Sequence, residues 1–229
     1  MTLNKLIQIA GIIDQKEAEL LLASGVQWLG FPLRLPVNLP DLTEEAAAAI
    51  IRGLKPPACG VVITYLNQAE EIIAFCRELG ASVVQLHGDI DLAELGYIKK
   101  HYPDLMIFKS LVVGLHTQQE LLELVRCTAP YVDAYITDTY DPLSGATGAT
   151  GKTHDWAVSR ELVLCSPRPV ILAGGLTADN VYPAILAVRP AGVDSHTGVE
   201  DESGRKSREK VERFVSEAQR AFRFIDNNP

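Results

Sequence analysis

The chain alternates short, almost continuously apolar runs with amphipathic stretches of helical period, and it does so eight times. Runs that are apolar on both faces are typical of parallel strands covered by helices. Each run and its helix take fewer than about 30 residues, a length that fits a strand–helix repeat. Eight such repeats predict a closed (β/α)8 TIM barrel, in the α/β class. The predicted strands are Leu6–Ile12, Val26–Phe31, Gly60–Tyr65, Ser82–His87, Leu105–Val113, Tyr131–Thr139, Pro169–Leu176 and Gly192–Val199.

The amphipathic stretches complete the repeats, and no linker or shift in composition separates them. The predicted helices are Asp14–Ser24, Thr43–Leu54, Gln68–Leu79, Leu92–His101, Gln118–Cys127, Ala157–Leu164, Ala178–Val188 and Ser207–Phe224. An open, doubly wound sheet is the alternative, but it normally carries a Gly-x-Gly-x-x-Gly turn after its first strand, and the chain has none. Residues 1–229 are therefore predicted to form one domain, with a frayed tail at Asp226–Pro229.

Composition narrows the partners of the chain. Its formal charge of −8 argues against nucleic acid, which needs clustered Lys and Arg. No apolar run reaches the ~18 residues that cross a bilayer, so we expect no membrane partner and no signal peptide. Four scattered cysteines are typical of reduced thiols in the cytoplasm. Because no His, Asp or Glu group has the spacing of metal ligands, we expect no metal and no cofactor. The oligomeric state stays open.

In a barrel the chemistry lies at the carboxyl ends of the strands, and the loops after strands seven and eight often bind phosphate. Two glycine-containing segments fall there, AGGL at residues 173–176 and DSHTG at residues 194–198. Glycine lets backbone N–H groups approach an anion closely. The candidate phosphate ligands are Gly174, Gly175, Asp194, Ser195, His196, Thr197 and Gly198. The alternative is that the two adjacent glycines form only a tight turn.

A long Gly/Thr loop, Gly145–Trp156, follows the sixth predicted strand. Its length suggests a lid or a loop ordered by ligand. Gly151-Lys152-Thr153 matches half of a nucleotide-binding P-loop, but Ala146 stands where the first glycine of that motif belongs. We therefore reject nucleoside triphosphate binding.

Five segments together resemble the phosphoribosylanthranilate isomerase family over nearly the whole chain. They are QLHGD at 85–89, TDT at 137–139, TGKTHDW at 150–156, ILAGGLTADNV at 171–181 and VDSHTGVE at 193–200. The resemblance implies a (β/α)8 barrel and a small phosphoribosyl or sugar-phosphate ligand. It also implies an Amadori rearrangement, the isomerisation of an aminoaldose to an aminoketose in tryptophan biosynthesis.

The resemblance assigns the general acid to Asp138, at the end of strand six, and leaves the general base without a candidate. The family's base is a cysteine on strand one, and this chain has Ala10 there, which cannot accept a proton. Gln8 replaces a lysine two residues earlier. The loop after strand two, which carries an arginine that contacts the substrate in the family, is altered in this chain. Arg34 is the only arginine in it. His196 replaces a small hydroxyl residue.

These departures leave several readings open. In the first reading, His87 or His196 serves as a relocated base, since imidazole titrates near neutral pH, although His87 equally suits a structural role. In the second, Lys109 forms a Schiff base with a different sugar phosphate; the alternative for Lys109 is only a charge lining the pocket. In the third, the chain binds a phosphosugar and its catalysis is different or lost. In the fourth, Ala10 is an engineered replacement of cysteine, which the accompanying changes at Gln8 and around Arg34 argue against.

Overall fold

In the residues it describes, 3–36, 41–140 and 153–228, the computed structural model has eight strands that pair in parallel and in chain order. The first strand also pairs with the last, which closes the barrel. The predicted (β/α)8 fold is therefore confirmed. The strands are β1 Leu6–Ala10, β2 Trp28–Pro32, β3 Cys59–Thr64, β4 Val83–Leu86, β5 Met106–Val113, β6 Ala134–Thr139, β7 Val170–Leu172 and β8 Gly192–Ser195.

A helix follows every strand and covers the outside of the barrel. The helices are α1 Gln15–Ala23, α2 Glu44–Gly53, α3 Ala69–Leu79, α4 Leu92–His101, α5 Gln118–Thr128, α6 Trp156–Cys165, α7 Val181–Val188 and α8 Arg208–Asn227, with a 3-10 turn at Thr197–Val199. Side-chain oxygens fix several of the starts, because they accept from N–H groups that lack a partner within the helix. Asp14, Thr43, Thr117 and Ser207 act in this way.

Several predicted boundaries of strands and helices differ from the structure. The seventh and eighth strands end at Leu172 and Ser195, before the turns that the predicted runs included. At the carboxyl terminus, α8 continues to Asn227 instead of fraying from Asp226. The guanidinium of Arg189 donates to the carbonyl of Asn228 over 3.1 Å, which ties this end to the barrel.

Alternation along the strands divides the interior into two layers. One set of side chains fills the barrel lumen, including Ala10, Phe108 and Ile136. The other set packs between the strands and the helices, including Ile9, Ile107 and Tyr135. A residue's position in its strand therefore decides whether its side chain faces the lumen or the helices.

Most of the long Gly/Thr loop predicted at Gly145–Trp156 lies outside the described residues. Within the parts that the structure describes, no helix is long and apolar enough to cross a membrane.

Candidate active site

A chain of polar side chains crosses the lumen near the carboxyl ends of four strands. The amide of Gln8, on β1, donates to Gln85 Oε1 over 3.2 Å. Gln85 in turn donates to Ser110 Oγ over 3.4 Å, and that hydroxyl lies 2.8 Å from His87 Nδ1. His87 Nε2 lies 3.6 Å from Asp138 Oδ2. Buried polar groups joined in this way hold one another in place, so this series of hydrogen bonds orients the His87 ring toward Asp138.

Asp138 faces the lumen near the carboxyl end of β6. The N–H of Thr139 donates to its Oδ1 over 2.8 Å. Burial raises the pKa of Asp138, because the charged form loses its hydration, and the nearby His87 opposes this rise. A raised pKa favours the protonated form of the carboxyl, which is the form that a general acid needs.

Asp194 is a second buried carboxyl in the lumen. It pairs with Gln8 across the seam between β1 and β8. Burial raises the pKa of Asp194 to about 7, with a further contribution from the charge of Asp138, while Gln8 and Lys206 act in the opposite direction. Oδ1 of Asp194 has no hydrogen-bond partner among the described residues. Repulsion between two carboxylates favours the protonated form of each, and this arrangement is typical of acid–base pairs.

Ala10 faces the same lumen, and two glycines and the imidazole of His196 lie close to it. Gly30 lies next to it on β2, and the His196 ring packs over Gly11. A Cβ at Gly11 would lie 2.0 Å from His196 Nε2. His196 Nε2 is 3.5 Å from Glu200 Oε1. Burial, and then the charge of Lys206, lowers the pKa of His196 to about 3, so the ring is neutral at pH 7 and binds protons weakly.

The turns after β7 and β8 come together through glycines. Gly174 and Gly175 have φ values of +96° and +61°. A Cβ at Gly174 would lie 2.2 Å from Thr139 Oγ1, and one at Gly198 would lie 1.9 Å from the carbonyl oxygen of Leu176. Only glycine permits backbone conformations and approaches of this kind without strain.

Side-chain bonds hold these two turns in position. Ser195 Oγ donates to the Leu176 carbonyl over 2.7 Å, and Asn180 Nδ2 donates to the Gly175 carbonyl over 2.9 Å. Thr197 begins the 3-10 turn that carries Gly198. Among the hydrogen bonds of the described residues, none has the N–H of Gly174 or Gly175 as its donor. The structure thus brings the predicted phosphate ligands together, except that the side chains of Asp194 and His196 turn toward the lumen and Gly11.

Arg34 does not join this group. Its guanidinium makes two hydrogen bonds to the carboxylate of Glu44, of 2.9 and 3.0 Å, and stacks 3.8 Å from the Phe75 ring centre. These partners belong to α2 and α3, on the outside of the barrel. The structure therefore places Arg34 between helices, apart from the other predicted ligands, because its planar group forms a forked pair with a carboxylate there.

Lys109 faces away from the lumen as well. It shares a strand face with Ile107 and Leu111, which pack against the helices. Its Nζ donates to the carbonyls of Gly88 and Ser110, over 3.0 and 3.2 Å. Burial lowers the pKa of Lys109 to about 8, and Asp89 opposes this change. An amine held outside the lumen does not reach a sugar bound there, so the geometry does not support the Schiff-base reading.

Several residues of the site were missed in the sequence, among them Gln85, Ser110 and His154. Ser110 bridges Gln85 and His87, and the alternation in β5 would have indicated it, since it shares a face with the lumen residue Phe108. His154 joins Thr139 Oγ1, over 2.9 Å, to Ser159 Oγ, over 2.6 Å. No local pattern indicated this second bridge, because its partners lie on different elements. Among the described residues no group of three His, Cys, Asp or Glu is placed to hold a metal ion.

Known proteins are similar to this chain in sequence and in fold over most of its length. A family model described as N-(5'phosphoribosyl)anthranilate (PRA) isomerase matches residues 37–217. N-(5'-phosphoribosyl)anthranilate isomerase 2 of Methanosarcina mazei is 35% identical over 223 residues, which cover 96% of this chain and 97% of that protein. The Haloferax volcanii isomerase is 33% identical over 225 residues, covering 97% and 96%. The crystal structure of the Thermotoga maritima isomerase aligns with a TM-score of 0.79 at 25% identity, covering 94% and 98%.

Fold and site together define a (β/α)8 barrel that gathers ionisable side chains in the lumen, at the carboxyl ends of its strands. Within that class, the chain belongs to the N-(5'-phosphoribosyl)anthranilate isomerase family.

Proposed function

We propose that the protein catalyses the Amadori rearrangement of N-(5'-phosphoribosyl)anthranilate to its aminoketose, a step of tryptophan biosynthesis. The observation that carries this function is the family match over most of the chain, together with the buried Asp138 facing the lumen at the carboxyl end of β6. The free thiols Cys59 and Cys76 are buried, which supports a cytoplasmic site of action.

The described residues supply what ring opening requires. Asp138 holds a proton and gives it to the ring oxygen of the ribose, so that the bond from this oxygen to C1 breaks and the nitrogen lone pair forms a C=N bond. His87, fixed by Ser110, holds the position of the carboxyl. The backbone around Gly174, Gly175 and Gly198 binds the 5'-phosphate through N–H groups, and this needs no cluster of basic side chains.

Turnover of the purified protein with N-(5'-phosphoribosyl)anthranilate tests this function. We expect formation of the aminoketose, and we expect Asp138→Asn to lower kcat/KM by about 10²–10⁴, because the amide cannot donate the proton. Asp104→Asn is the matched control, since Asp104 is exposed and precedes β5 at the opposite end of the barrel. The variant should behave like the wild type.

A phosphosugar-binding protein without this activity would give a different result. Ribose 5-phosphate would raise the melting temperature, as any ligand of the native state does, but no aminoketose would form. That pair of results would contradict the isomerase function and support the binding function.

A further inference from the structure

We propose that Asp194 is the general base that removes the C2 proton of the sugar, in place of the thiol that residue 10 lacks. This assignment rests on the proposed function, since a base is required only if the sugar is isomerised. It adds a catalytic residue on β8, at a position where the family resemblance suggested only ligand binding.

The position of Asp194 carries the first part of the argument. Gln8 and Ala10 lie on the same lumen-facing side of β1, and Asp194 is the direct cross-strand neighbour of Gln8. The carboxyl therefore lies beside the place of the missing thiol. Asp138 lies on the lumen face of β6, which it shares with Ile136, and its charge raises the pKa of Asp194. Ring opening needs an acid and removal of the C2 proton needs a base, and the lumen offers one carboxyl for each step.

The second part is the state of the carboxyl. Asp194 is 9% exposed, and its Oδ1 accepts no hydrogen bond from the described residues. A buried carboxylate oxygen without a donor is costly unless the site uses it. The charged groups that act on Asp194 are Asp138 from β6 and Lys206 from the segment before α8, and a hydrogen bond with Gln8 on β1 lowers its pKa.

The replacement at residue 8 explains why this carboxyl is available. A lysine there, as the family has, would lie directly opposite Asp194 and bind its carboxylate as an ion pair, which makes a carboxylate a weaker base. Gln8 is neutral: its amide donates to Gln85, and its hydrogen bond with Asp194 lowers the pKa of that carboxyl without adding a positive charge. The two departures on β1 are thus complementary, because Ala10 removes one base and Gln8 leaves another without an ion pair at residue 8.

The two histidines that were candidates for the base are less suitable. His196 Nε2 faces Glu200 over 3.5 Å, and its ring packs over Gly11. The His87 ring lies between Ser110 Oγ and Asp138 Oδ2, where it positions the acid.

The proton balance closes without a co-reactant. After Asp138 has protonated the ring oxygen, Asp194 takes the proton from C2, and the C–H electron pair forms the C1=C2 bond while the C=N electrons return to nitrogen. The enolamine then becomes the ketone as C1 receives a proton from Asp194 and the C2 hydroxyl returns one to Asp138. Both carboxyls regain their starting states.

The test begins with Asp194→Asn in the purified protein. We expect kcat/KM to fall by about 10²–10⁴, while the affinity for ribose 5-phosphate changes less than about twofold and Asp104→Asn retains full activity. Substrate carrying deuterium at C2 should react more slowly than unlabelled substrate in both the wild type and the variant, since that bond breaks in the step that Asp194 assists.

Rescue separates a base from a structural residue. Ala10→Cys in the Asp194→Asn background should restore activity at least tenfold, because a thiolate can accept the proton. Ala10→Ser in the same background is the matched control and should restore nothing. Rescue by neither Ala10→Cys nor Ala10→Ser, or equal rescue by both, would overturn the assignment. A greater loss of kcat/KM in His196→Asn than in Asp194→Asn would also overturn it.

A pH profile of the wild type keeps the test independent of the folding of any variant. Because the base must be ionised, kcat/KM should fall on the acidic side of an apparent pKa near 7, and the alkaline side should report loss of the proton shared with Asp138. A flat profile from pH 5 to pH 7 would overturn the assignment. If the wild type forms no aminoketose, the proposed function fails first; if it does and Asp194→Asn retains activity, only the assignment of the base fails.

Discussion

Gly198 shows at the scale of one residue how closely the two turns of the candidate phosphate site approach each other. The obstacle to any larger side chain is the backbone carbonyl of Leu176, which cannot rotate away as a flexible side chain would. Gly174 meets a side-chain hydroxyl instead, that of Thr139. The glycines that were predicted from the idea of close approach to an anion are therefore also required by contacts within the protein.

We predict that Gly198→Ala lowers the free energy of unfolding by about 1–3 kcal/mol, because the turn must move to admit the methyl group. It should also weaken binding of ribose 5-phosphate. Urea denaturation with an unchanged m-value measures the first effect. Gly53→Ala is the matched control, since a Cβ there meets nothing within 4 Å and alanine favours a helix. Equal stabilities for the two variants would contradict the prediction.

Residue identity alone could not place several of the candidates. Asp138 and His87 were predicted at strand ends and lie near each other in the lumen, because strand order determines which ends meet. Lys109 and Arg34 were predicted at similar positions, but strand alternation turns the first toward the helices and three helical carboxylates attract the second. Side-chain direction depends on these partners, and a local motif does not contain them.

At the scale of elements, the apolar periods predicted all eight strands and their helices, because each element buries one face or both. The errors lie at ends, where specific bonds decide. β7 stops at Leu172, just before the turn at Gly174 and Gly175. The sequence could not indicate this, because the following residues Ala173 and Leu176 are as apolar as those in the strand.

The contact between α2 and α3 supplies the second prediction. Arg34 joins Glu44 at the start of α2 to the Phe75 ring on α3. Arg34→Ala should lower the free energy of unfolding by about 1–2 kcal/mol through loss of the paired hydrogen bonds and the cation–π contact. Arg34→Lys should recover little, because it keeps the charge but not the planar fork. Thermal denaturation measures both.

The same variants test whether Arg34 contacts substrate. Because its guanidinium is held among helices, kcat/KM for N-(5'-phosphoribosyl)anthranilate should stay within about twofold of the wild type. A large rise in KM with unchanged stability would return Arg34 to the substrate site.

At the scale of the whole molecule, the free energy of unfolding depends on pH through the protonation of His154. Burial lowers the pKa of His154 to about 4, and Asp155 opposes this change. An unfolded histidine binds its proton near pH 6.5. Between these values the unfolded chain holds more protons, so the stabilisation from His154 is complete at pH 7 and is lost as the pH falls toward 4. The buried carboxyls Asp138 and Asp194 act with the opposite sign, because their pKa values are raised.

A comparison of variants isolates the histidine. We predict that the difference in free energy of unfolding between the wild type and His154→Gln shrinks by on the order of 2 kcal/mol from pH 7 to pH 4. Ser159→Ala removes a hydrogen-bond partner but keeps the ring, so it should lower stability and preserve the pH dependence. A difference that does not vary with pH would contradict the prediction.

The seam between β1 and β8 has a consequence for how the protein is made. Gln8 leaves the ribosome early and Asp194 late, yet they are neighbours in the closed barrel. At about 5–20 residues per second, the first strand waits on the order of ten seconds or more for its partner. During that time its unpaired edge can join another chain. The nascent barrel thus needs protection along β1, and truncation before Gly192 should leave a product that aggregates instead of a smaller enzyme.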